Sequence, residues 1–361
     1  MILQSLRLRN FRNYEDATFT FSPRMNLITG NNAQGKTNLL ESMVFLSLTR
    51  SNRVNDHRLL IKKDAPFGMV ACDISDDSRS ISLEAILHGD GKTLRVQGHP
   101  VKQSSEFIGL LNVVLFSPDE LRLFKDQPSE RRRLLDQEIA KISPSYLNSL
   151  NQYQRLLKER NQLLKMPNVD RLFLETLNDR MILEQKTVIE KRQEFVEFID
   201  ARIAGIYRRV AGDLSEVRVK YHSCIKSLEN TIENLKEMYE TSLASDIEHK
   251  HTSRGIHRED LVFSIGGENV VNVASQGQKR MVMLSFKAAL LEYIKQQTHS
   301  YPVLLLDDVL SELDEAKQNR LLDLVQKPCQ CMITSTKIPP YANKDETKVF
   351  VIENGKVAHG G

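Results

Sequence analysis

Two glycines, a lysine and a threonine stand close together near the N-terminus, in the segment GNNAQGKT at residues 30–37. The segment matches the pattern GxxxxGK[ST], whose glycines permit a tight turn that directs backbone N–H groups toward phosphates. In this pattern the lysine reaches the β- and γ-phosphates of a nucleotide and the hydroxyl binds Mg²⁺. The predicted nucleotide contacts here are Gly30, Asn31, Asn32, Ala33, Gln34, Gly35, Lys36 and Thr37, with Thr37 also a predicted metal ligand.

The residues around this segment suit a phosphate site. An apolar run at residues 25–28 precedes it and predicts a strand, and the mostly apolar residues 37–50 predict a helix. The positive N-terminal end of such a helix favours a bound anion. A plain glycine turn with an exposed lysine is the alternative, and it would require neither the strand nor the helix.

A second group of chemistry-bearing residues follows the apolar run 303–306, which predicts a buried strand ending in Asp307 and Asp308. Burying a carboxylate is costly unless it is paired or bound to a metal. We predict that Asp307 holds Mg²⁺ through a water molecule and that Asp308 orients the attacking water as a base. Lys36, Asp307 and Asp308 are therefore the predicted catalytic residues. A strand followed by an ordinary polar turn is the alternative.

The segment SQGQKR at residues 275–280 stands before a long predicted helix. A serine hydroxyl and glycine N–H groups at a helix N-terminus form a cradle for an anion. We therefore count Ser275, Gln276, Gly277 and Gln278 among the candidate nucleotide-binding residues. An ordinary helix cap provided by Ser275 is the alternative.

The chain changes character along its length. Residues 66–120 are strand-like and rich in turns, whereas residues from about 130 to 250 contain little glycine and predict helices. The break Met166-Pro167-Asn168 separates two helical segments, which predicts an antiparallel hairpin, either a compact subdomain or a coiled coil. The predicted organisation is an N-terminal head segment 1–129, a helical insertion 130–250 and a C-terminal head segment 251–361.

Composition limits the classes of partner. The chain has 50 basic and 47 acidic side chains and a net charge of +3, so the total charge does not indicate nucleic acid. Aromatic residues make up only 6%, which argues against a broad stacking platform for single strands. The cluster Arg131, Arg132 and Arg133 is a candidate for DNA contact, and pairing with acids inside the fold is the alternative.

Cysteine spacing and hydropathy indicate the compartment. Cys329 and Cys331 are too close for a CxxC motif, so we expect reduced cysteines that pack in the core. The N-terminus lacks the apolar core of a signal peptide, and no run approaches the ~18 apolar residues of a membrane span. We expect a soluble, cytoplasmic protein without a membrane partner.

Several motifs resemble those of known ATPases. The strand ending in two aspartates, followed by SELD at residues 311–314, resembles the Walker B motif and D-loop of ABC-type ATPases, and SQGQKR resembles their signature motif. LRLRNFRNY at residues 6–14 resembles the opening of the RecF family and its SMC and Rad50 relatives. Two further stretches resemble RecF members specifically, namely GIHRED at residues 255–260 and FSPDEL at residues 116–121 with Pro128, Arg131, Arg132 and Asp136.

The resemblance covers essentially the whole chain. It implies an α/β, ABC-type P-loop ATPase head with an inserted helical, short coiled-coil-like arm, and ATP and Mg²⁺ as cofactors. In ABC-type ATPases the signature motif binds the γ-phosphate of the nucleotide on the opposite subunit, which implies an ATP-dependent homodimer. The family layout places Arg12 and Asn13 at the adenine.

The resemblance also implies a function. RecF-family members bind double-stranded DNA in an ATP-dependent way, and they act with RecO and RecR to promote RecA loading at single-strand gaps. The expected partners are therefore double-stranded, gapped or junction DNA, a second copy of the chain, RecO and RecR.

Departures from the family pattern affect the expected rate. Asp308 stands where most ABC-type ATPases have glutamate, and Thr334-Ser335-Thr336 occupies the region of their switch histidine. We therefore expect weak, DNA-dependent ATP hydrolysis that serves as a switch. In the GIHRED stretch, Ile256 stands where the family pattern has proline, and Glu259 stands where it has aspartate. We expect neither change to remove function.

Three other functions compete with this interpretation. An SMC- or Rad50-like structural ATPase would need far longer coiled-coil arms. A transporter's nucleotide-binding subunit would have its phosphate loop and signature much closer than Lys36 and Ser275, which are 239 positions apart. A small-molecule kinase with a phosphate loop would not need the SQGQKR and SELD segments.

Overall fold

A computed structural model describes residues 1–76, 79–125, 127–325, 329–338 and 347–360. The strands are β1 (Ile2–Phe11), β2 (Tyr14–Thr20), β3 (Met25–Thr29), β4 (Gly68–Ser75), β5 (Ser80–Leu87), β6 (Lys92–Val96), β7 (His99–Pro100), β8 (Val113–Phe116), β9 (Val217–His222), β10 (Asp260–Ile265), β11 (Glu268–Asn269), β12 (Val303–Asp307), β13 (Cys331–Ser335), β14 (Thr347–Glu353) and β15 (Lys356–Gly360). The helices are α1 (Lys36–Leu48), α2 (Pro128–Ala140), α3 (Pro144–Leu163), α4 (Arg171–Ala211), α5 (Thr231–His249), α6 (Val270–Val273), α7 (Gln276–Thr298) and α8 (Glu315–Val325). Among the described residues, no helix is long and apolar enough to cross a membrane.

The chain divides into two compact units. Unit 1 contains residues 1–121, 206–213 and 280–361, and unit 2 contains residues 122–205 and 214–279. The limits differ from the predicted segments 1–129, 130–250 and 251–361, because residues after 250 continue unit 2. The reason is strand pairing. Strand β10 pairs with β9 along its whole length, so both strands belong to unit 2.

An antiparallel sheet forms the first layer of unit 1, in the order β2-β1-β4-β5-β6-β7. Strand β1 buries Leu6 and Leu8 and exposes Arg7 and Arg9, as expected for a strand with one face in the core. Leu6 lies opposite Phe19 of β2, so apolar side chains meet across the ladder. The alternation seen in the sequence thus fixes which face of this sheet is buried.

The second layer is a sheet in the order β15-β14-β3-β13-β12-β8. Its strands run parallel except β15, which returns antiparallel to β14. Every residue of β3 and β12 is buried, which explains their continuous apolar runs. One core cluster contains Leu6 of the first sheet, Phe45 of α1 and Leu305 of the second sheet, so α1 and both sheets share a core.

Unit 2 contains the helical hairpin. Arg160 near the end of α3 bonds Asn178 early in α4, and Tyr146 at the start of α3 bonds Arg192 further along α4, so the two helices run antiparallel. Arg160 also bonds Asp246 of α5, and β9, β10 and β11 add a three-stranded antiparallel sheet. The insertion is therefore a compact unit of several elements, the first of the two predicted alternatives.

Candidate functional site

The GNNAQGKT segment forms a loop between β3 and α1 in unit 1. Gly30 and Gly35 have φ values of 147° and 117°, which side chains rarely allow, and Ala33 between them has φ of 64°. Space is restricted as well, because a Cβ on Gly30 would lie 2.3 Å from the carbonyl oxygen of Ile352. A Cβ on Gly35 would lie 2.6 Å from Nδ2 of Asn13. The two glycines are thus required by both backbone conformation and packing.

Lys36 folds back over this phosphate loop. Its Nζ donates hydrogen bonds to the carbonyl oxygens of Gly30 at 2.6 Å and Asn31 at 2.9 Å. Burial lowers the pKa of Lys36, and the carboxylates of Asp308 and Asp307 oppose that shift. The ammonium group is therefore held at the loop, close to two acidic side chains.

Asp307 lies at the end of β12 and is joined to the first turn of α1. Thr37 Oγ1 donates to Asp307 Oδ1 at 3.0 Å, and Thr334 Oγ1 donates to the same oxygen at 2.9 Å. Burial raises the pKa of this carboxyl, while the two hydroxyl bonds and the charge of Arg53 lower it. A buried carboxylate beside a threonine hydroxyl supplies the oxygen ligands that Mg²⁺ prefers, so the residues present fit that ion.

Thr334 is a site residue that the sequence did not reveal. The register of β12 and β13 places Thr334 directly beside Asp307. Its Oγ1 also accepts the backbone N–H of Asp308 at 2.8 Å. One hydroxyl thus orients both aspartates. It belongs to the segment 334–336, which occupies the region of the switch histidine of ABC-type ATPases. The available signal was a polar residue ending an apolar strand.

Asp308 has a left-handed backbone, with φ of 54°. Aspartate tolerates this conformation better than most residues, because its short side chain can form local hydrogen bonds. The carbonyl oxygen of Asp308 accepts from Ser311 Oγ at 2.7 Å, which ties the strand end to the SELD segment. The position therefore suits the aspartate found here.

Arg12 and Asn13, the residues expected at the adenine, contact other protein groups in this structure. Arg12 forms a two-pronged ion pair with the buried Glu41, with N–O distances of 2.9 and 2.8 Å. Asn13 Nδ2 donates to the carbonyl oxygen of Gln34 at 2.8 Å, and Asn13 Oδ1 accepts from Asn38 at 2.9 Å. Both side chains support the phosphate loop and α1, and their contact with adenine stays a prediction.

A cavity of about 490 Å³ opens beside the phosphate loop, at the ends of β3, β13 and β14. A volume of this size is typical of small-molecule sites. The sequence did not identify its outer wall, because the wall comes from segments far apart in the chain. The lining residues are Thr29, Gly30, Asn31, Gln34, Thr336, Lys337, Ile338, Val351, Glu353 and Asn354.

The SQGQKR segment begins α7 in unit 2. Ser275 Oγ accepts the backbone N–H of Gln278 at 3.2 Å, and Gln278 Oε1 accepts the backbone N–H of Ser275 at 2.9 Å. This reciprocal capping box is the helix cap that we kept as the alternative. Ser275, Gln276 and Gly277 are nevertheless exposed, so this helix N-terminus is open to an external group.

The arginine cluster contains three different environments. Arg131 is buried, and its Nε and Nη2 each bond the carboxylate of Asp260 at 2.8 Å. Arg132 donates to the backbone carbonyl of Glu259 at 2.7 Å, whereas Arg133 is exposed and pairs with Glu130 on its own helix. For Arg131 the pairing favours the alternative of an acid partner inside the fold, because a DNA phosphate would have to displace Asp260 from a buried pair. DNA contact by this cluster stays a prediction.

The GIHRED segment forms the centre of a buried polar network in unit 2. Glu259 accepts hydrogen bonds from Arg192 Nη1 at 2.7 Å and from Ser223 Oγ at 3.0 Å. Arg192 is itself buried and also bonds Asp136 at 2.7 Å. A buried guanidinium is costly unless it is paired, so this network holds α2 and α4 to residues 255–260.

The two departures within GIHRED fit this network. The backbone N–H of Ile256 donates to Gln185 Oε1 at 3.3 Å, a bond that proline could not form. Glu259 keeps the negative charge of aspartate and uses both oxygens, because Oε1 also accepts the backbone N–H of Cys224. The GIHRED stretch thus has a structural role in this unit.

The architecture and the site together define a class of protein. A phosphate loop between a buried parallel strand and a helix, with carboxylates on a nearby parallel strand, defines a P-loop ATPase head. A solved SMC head domain from Pyrococcus furiosus has the same fold at a TM-score of 0.57 and 18% identity, covering 98% of this chain and 94% of that one. The fold is therefore that of the ATPase head which SMC proteins also contain.

The particular family follows from whole-length similarity. Residues 2–358 match the family described as RecF/RecN/SMC N terminal domain. The DNA replication and repair protein RecF of Ligilactobacillus salivarius (strain UCC118) is 36% identical over 370 residues, 99% of this chain and 97% of that protein. A solved structure of the recombination mediator protein RecF-ATP superposes with a TM-score of 0.92 at 30% identity, covering 100% of this chain and 97% of that one. The chain belongs to the RecF family.

Proposed function

We propose that this chain is an ATP-driven DNA-binding switch of recombinational repair and replication maintenance. The observation that carries the proposal is the contact of Thr37 with the buried Asp307 beside a glycine-rich phosphate loop. Its relatives are named as a DNA replication and repair protein and as a recombination mediator with ATP. ATP and Mg²⁺ are accordingly the proposed cofactors.

The first proposed step is nucleotide binding by the loop at residues 30–37. Backbone N–H groups and Lys36 bind the phosphates, and the positive end of α1 favours the anion. Thr37 and Asp307 would hold Mg²⁺, which neutralises charge on the β- and γ-phosphates when it is bound. Thr334 keeps Asp307 in place through its 2.9 Å hydrogen bond.

The second proposed step is slow hydrolysis. Asp308 lies close enough to Lys36 for their charges to interact, and it would accept a hydrogen bond from the attacking water. Its side chain is one methylene shorter than that of glutamate, so it reaches the water less well. Hydrolysis then serves to reset the switch rather than to turn over ATP rapidly.

The third proposed step is closure of a homodimer. The exposed N-terminus of α7, with Ser275, Gln276, Gly277 and Gln278, would bind the γ-phosphate of ATP on a second copy of the chain. The closed dimer would bind double-stranded DNA, gapped DNA or junctions, with RecO and RecR as partners in RecA loading. DNA affinity would come mostly from basic residues on phosphates, and it would fall steeply with salt.

The test is DNA binding and molecular mass in parallel, on a gapped duplex with ATP, with ADP and without nucleotide. Lys36→Met removes the phosphate contact, and Ser275→Arg blocks the signature cradle. Lys63→Met and Ser245→Arg are matched controls on exposed surface outside both motifs. We expect an ATP-specific dimer that binds DNA, lost in the first pair of variants and kept in the second. A monomer whose DNA binding ignores nucleotide would overturn the proposal.

A further inference from the structure

We infer that the C-terminal hairpin between β14 and β15 positions the phosphate loop, with Asn354 and Gly355 as positioning residues. This inference deepens the proposed function, since it rests on nucleotide binding at that loop. The hairpin lies more than 300 residues beyond the loop in the sequence, at residues 353–355, and belongs to none of the ATPase motifs.

Strand order brings the two segments together. Strand β14 pairs in parallel with β3, with Val351 opposite Thr29. Parallel neighbours end at the same edge of a sheet, so the turn after β14 emerges beside the loop after β3. The contact is therefore a consequence of the sheet topology.

Gln34 is the residue of the loop that the hairpin holds. Its backbone carbonyl oxygen accepts the N–H of Gly355 at 3.0 Å and the side-chain amide of Asn13 at 2.8 Å. Its side-chain Oε1 accepts the N–H of Asn354 at 2.6 Å. Two donors use both lone pairs of the carbonyl oxygen, which fixes the orientation of this peptide group.

The orientation of that peptide group matters for phosphate binding. A trans peptide is planar, so the N–H of Gly35 points in the direction opposite to the carbonyl of Gln34. Holding the carbonyl toward the hairpin and Asn13 therefore directs the N–H of Gly35 away from them. That N–H belongs to the set which such loops direct at phosphates.

Close packing makes the hairpin sensitive to one added methyl group. Asn354 and Gly355 have φ values of 49° and 72°, the left-handed pair of a two-residue turn. A Cβ on Gly355 would lie 2.3 Å from the backbone carbonyl oxygen of Asn13. A shift of that backbone would also move the Asn13 side-chain amide, which donates to the carbonyl oxygen of Gln34. The same hairpin reaches the first glycine, since Ile352 packs against Gly30.

The chain offers a matched control in another hairpin of unit 1. Gly98, between β6 and β7, has φ of 77° and follows Gln97 at 51°, yet a Cβ there would contact nothing within 4 Å. Gly355→Ala and Gly98→Ala therefore carry a similar backbone penalty, and only the first disturbs the phosphate loop.

The experiment measures three quantities on the full chain: ATP affinity by titration, the thermal midpoint without nucleotide, and amide hydrogen exchange of residues 30–37 in nucleotide-free protein. We expect Gly355→Ala to weaken ATP binding by about tenfold or more and to speed exchange in the loop. Gly98→Ala should change neither of these two quantities. Gln34→Ala removes the side-chain acceptor for Asn354 and should speed exchange in the nucleotide-free loop as well as weaken ATP binding by about threefold. Because Gln34 also lines the cavity, the exchange of the nucleotide-free loop separates positioning from direct contact with ATP.

Each outcome decides one question. Equal ATP affinity and equal loop exchange in Gly355→Ala and Gly98→Ala would overturn the inference. If Gly355→Ala does not fold, Gln34→Ala decides in its place, and unchanged affinity and unchanged exchange in that variant would overturn the inference. If the unmodified chain does not bind ATP, the proposed function fails, and the exchange comparison still decides the positioning role.

Discussion

Replacing Asp307 by asparagine removes a buried charge while keeping the shape of the side chain. The amide oxygen of asparagine can still accept the hydroxyls of Thr37 and Thr334, which donate at 3.0 and 2.9 Å. Folding should therefore survive. Because burial raises the pKa of Asp307, the fold disfavours its ionised form, and stability is lost as pH rises through that raised pKa. We expect Asp307→Asn to raise the thermal midpoint at pH 7 without nucleotide, by an amount that shrinks as pH falls.

With Mg²⁺ and ATP bound, the unmodified chain should instead have the higher thermal midpoint of the two proteins. Removing a group that supports a metal typically weakens metal affinity by ~10–100-fold. A ligand at 100 times its Kd adds about 2.7 kcal/mol to the free energy of unfolding, whereas a 100-fold weaker ligand at the same concentration adds about 0.4 kcal/mol. The unmodified chain should thus gain about 2 kcal/mol more from Mg²⁺ and ATP than Asp307→Asn gains.

Thermal unfolding monitored with and without Mg²⁺ and ATP measures both effects. Asp73→Asn is the matched control, since Asp73 also accepts two serine hydroxyls but lies exposed in the antiparallel sheet. The control should leave the ligand-induced rise in midpoint unchanged. An equal rise in Asp307→Asn and the unmodified chain would refute the assignment of Asp307 to the metal.

Further predictions concern hydrolysis, DNA contact and pH. Phosphate release by the unmodified chain should stay below about 10 s⁻¹, and turnover well above that rate would contradict the slow-switch mechanism. Asp308→Asn should slow phosphate release by roughly 10²-fold or more, while a mass measurement should still show the ATP-dependent dimer. Arg131→Ala breaks a buried pair with Asp260 and should lower the free energy of unfolding by about 3–5 kcal/mol. Arg133→Ala should leave the thermal midpoint unchanged. If Arg133 contacts a DNA phosphate, the same variant should reduce by ~1 the slope of log affinity for DNA against log salt concentration. Burial lowers the pKa of His257 to about 4, so the histidine is neutral in the fold. The unfolded chain takes up a proton on this histidine at higher pH than the folded chain does, so the free energy of unfolding decreases as pH falls from 6.5 toward 4. The thermal midpoint of the unmodified chain should fall across that window, and it should fall less in His257→Gln; identical pH profiles would show that another group is responsible.

The buried networks give the RecF-specific segments a physical basis. Glu120 of FSPDEL pairs with the buried Lys287 of α7 at 2.7 Å within unit 1, and Glu259 of GIHRED pairs with Arg192 within unit 2. Removing one partner of such a pair leaves an uncompensated buried charge. These segments therefore constrain the fold of each unit, whereas the phosphate loop and the carboxylates at the end of β12 are the groups proposed to supply the chemistry.

Much of the fold could be predicted from the sequence, because the relevant signals are local. Apolar runs indicated β3 and β12, and the break at residues 166–168 separated α3 from α4. Two glycines and Lys36 indicated the phosphate loop in the same way. Each signal depends on the backbone preference or the periodicity of neighbouring residues, which the tertiary fold only has to accommodate.

The tertiary structure decided what each polar side chain contacts. Arg131 and Asp260 are 129 positions apart, and no local pattern shows that a basic residue of an apparent DNA cluster pairs with that acid. Thr334 reaches Asp307 only through the register of β12 and β13, and the hairpin at Asn354 reaches Gln34 only because β14 lies beside β3. The sequence therefore determined which groups are the candidates to bind phosphate and metal. Strand order and register determined which residues hold those groups in place, because they alone bring distant segments to the same edge of a sheet.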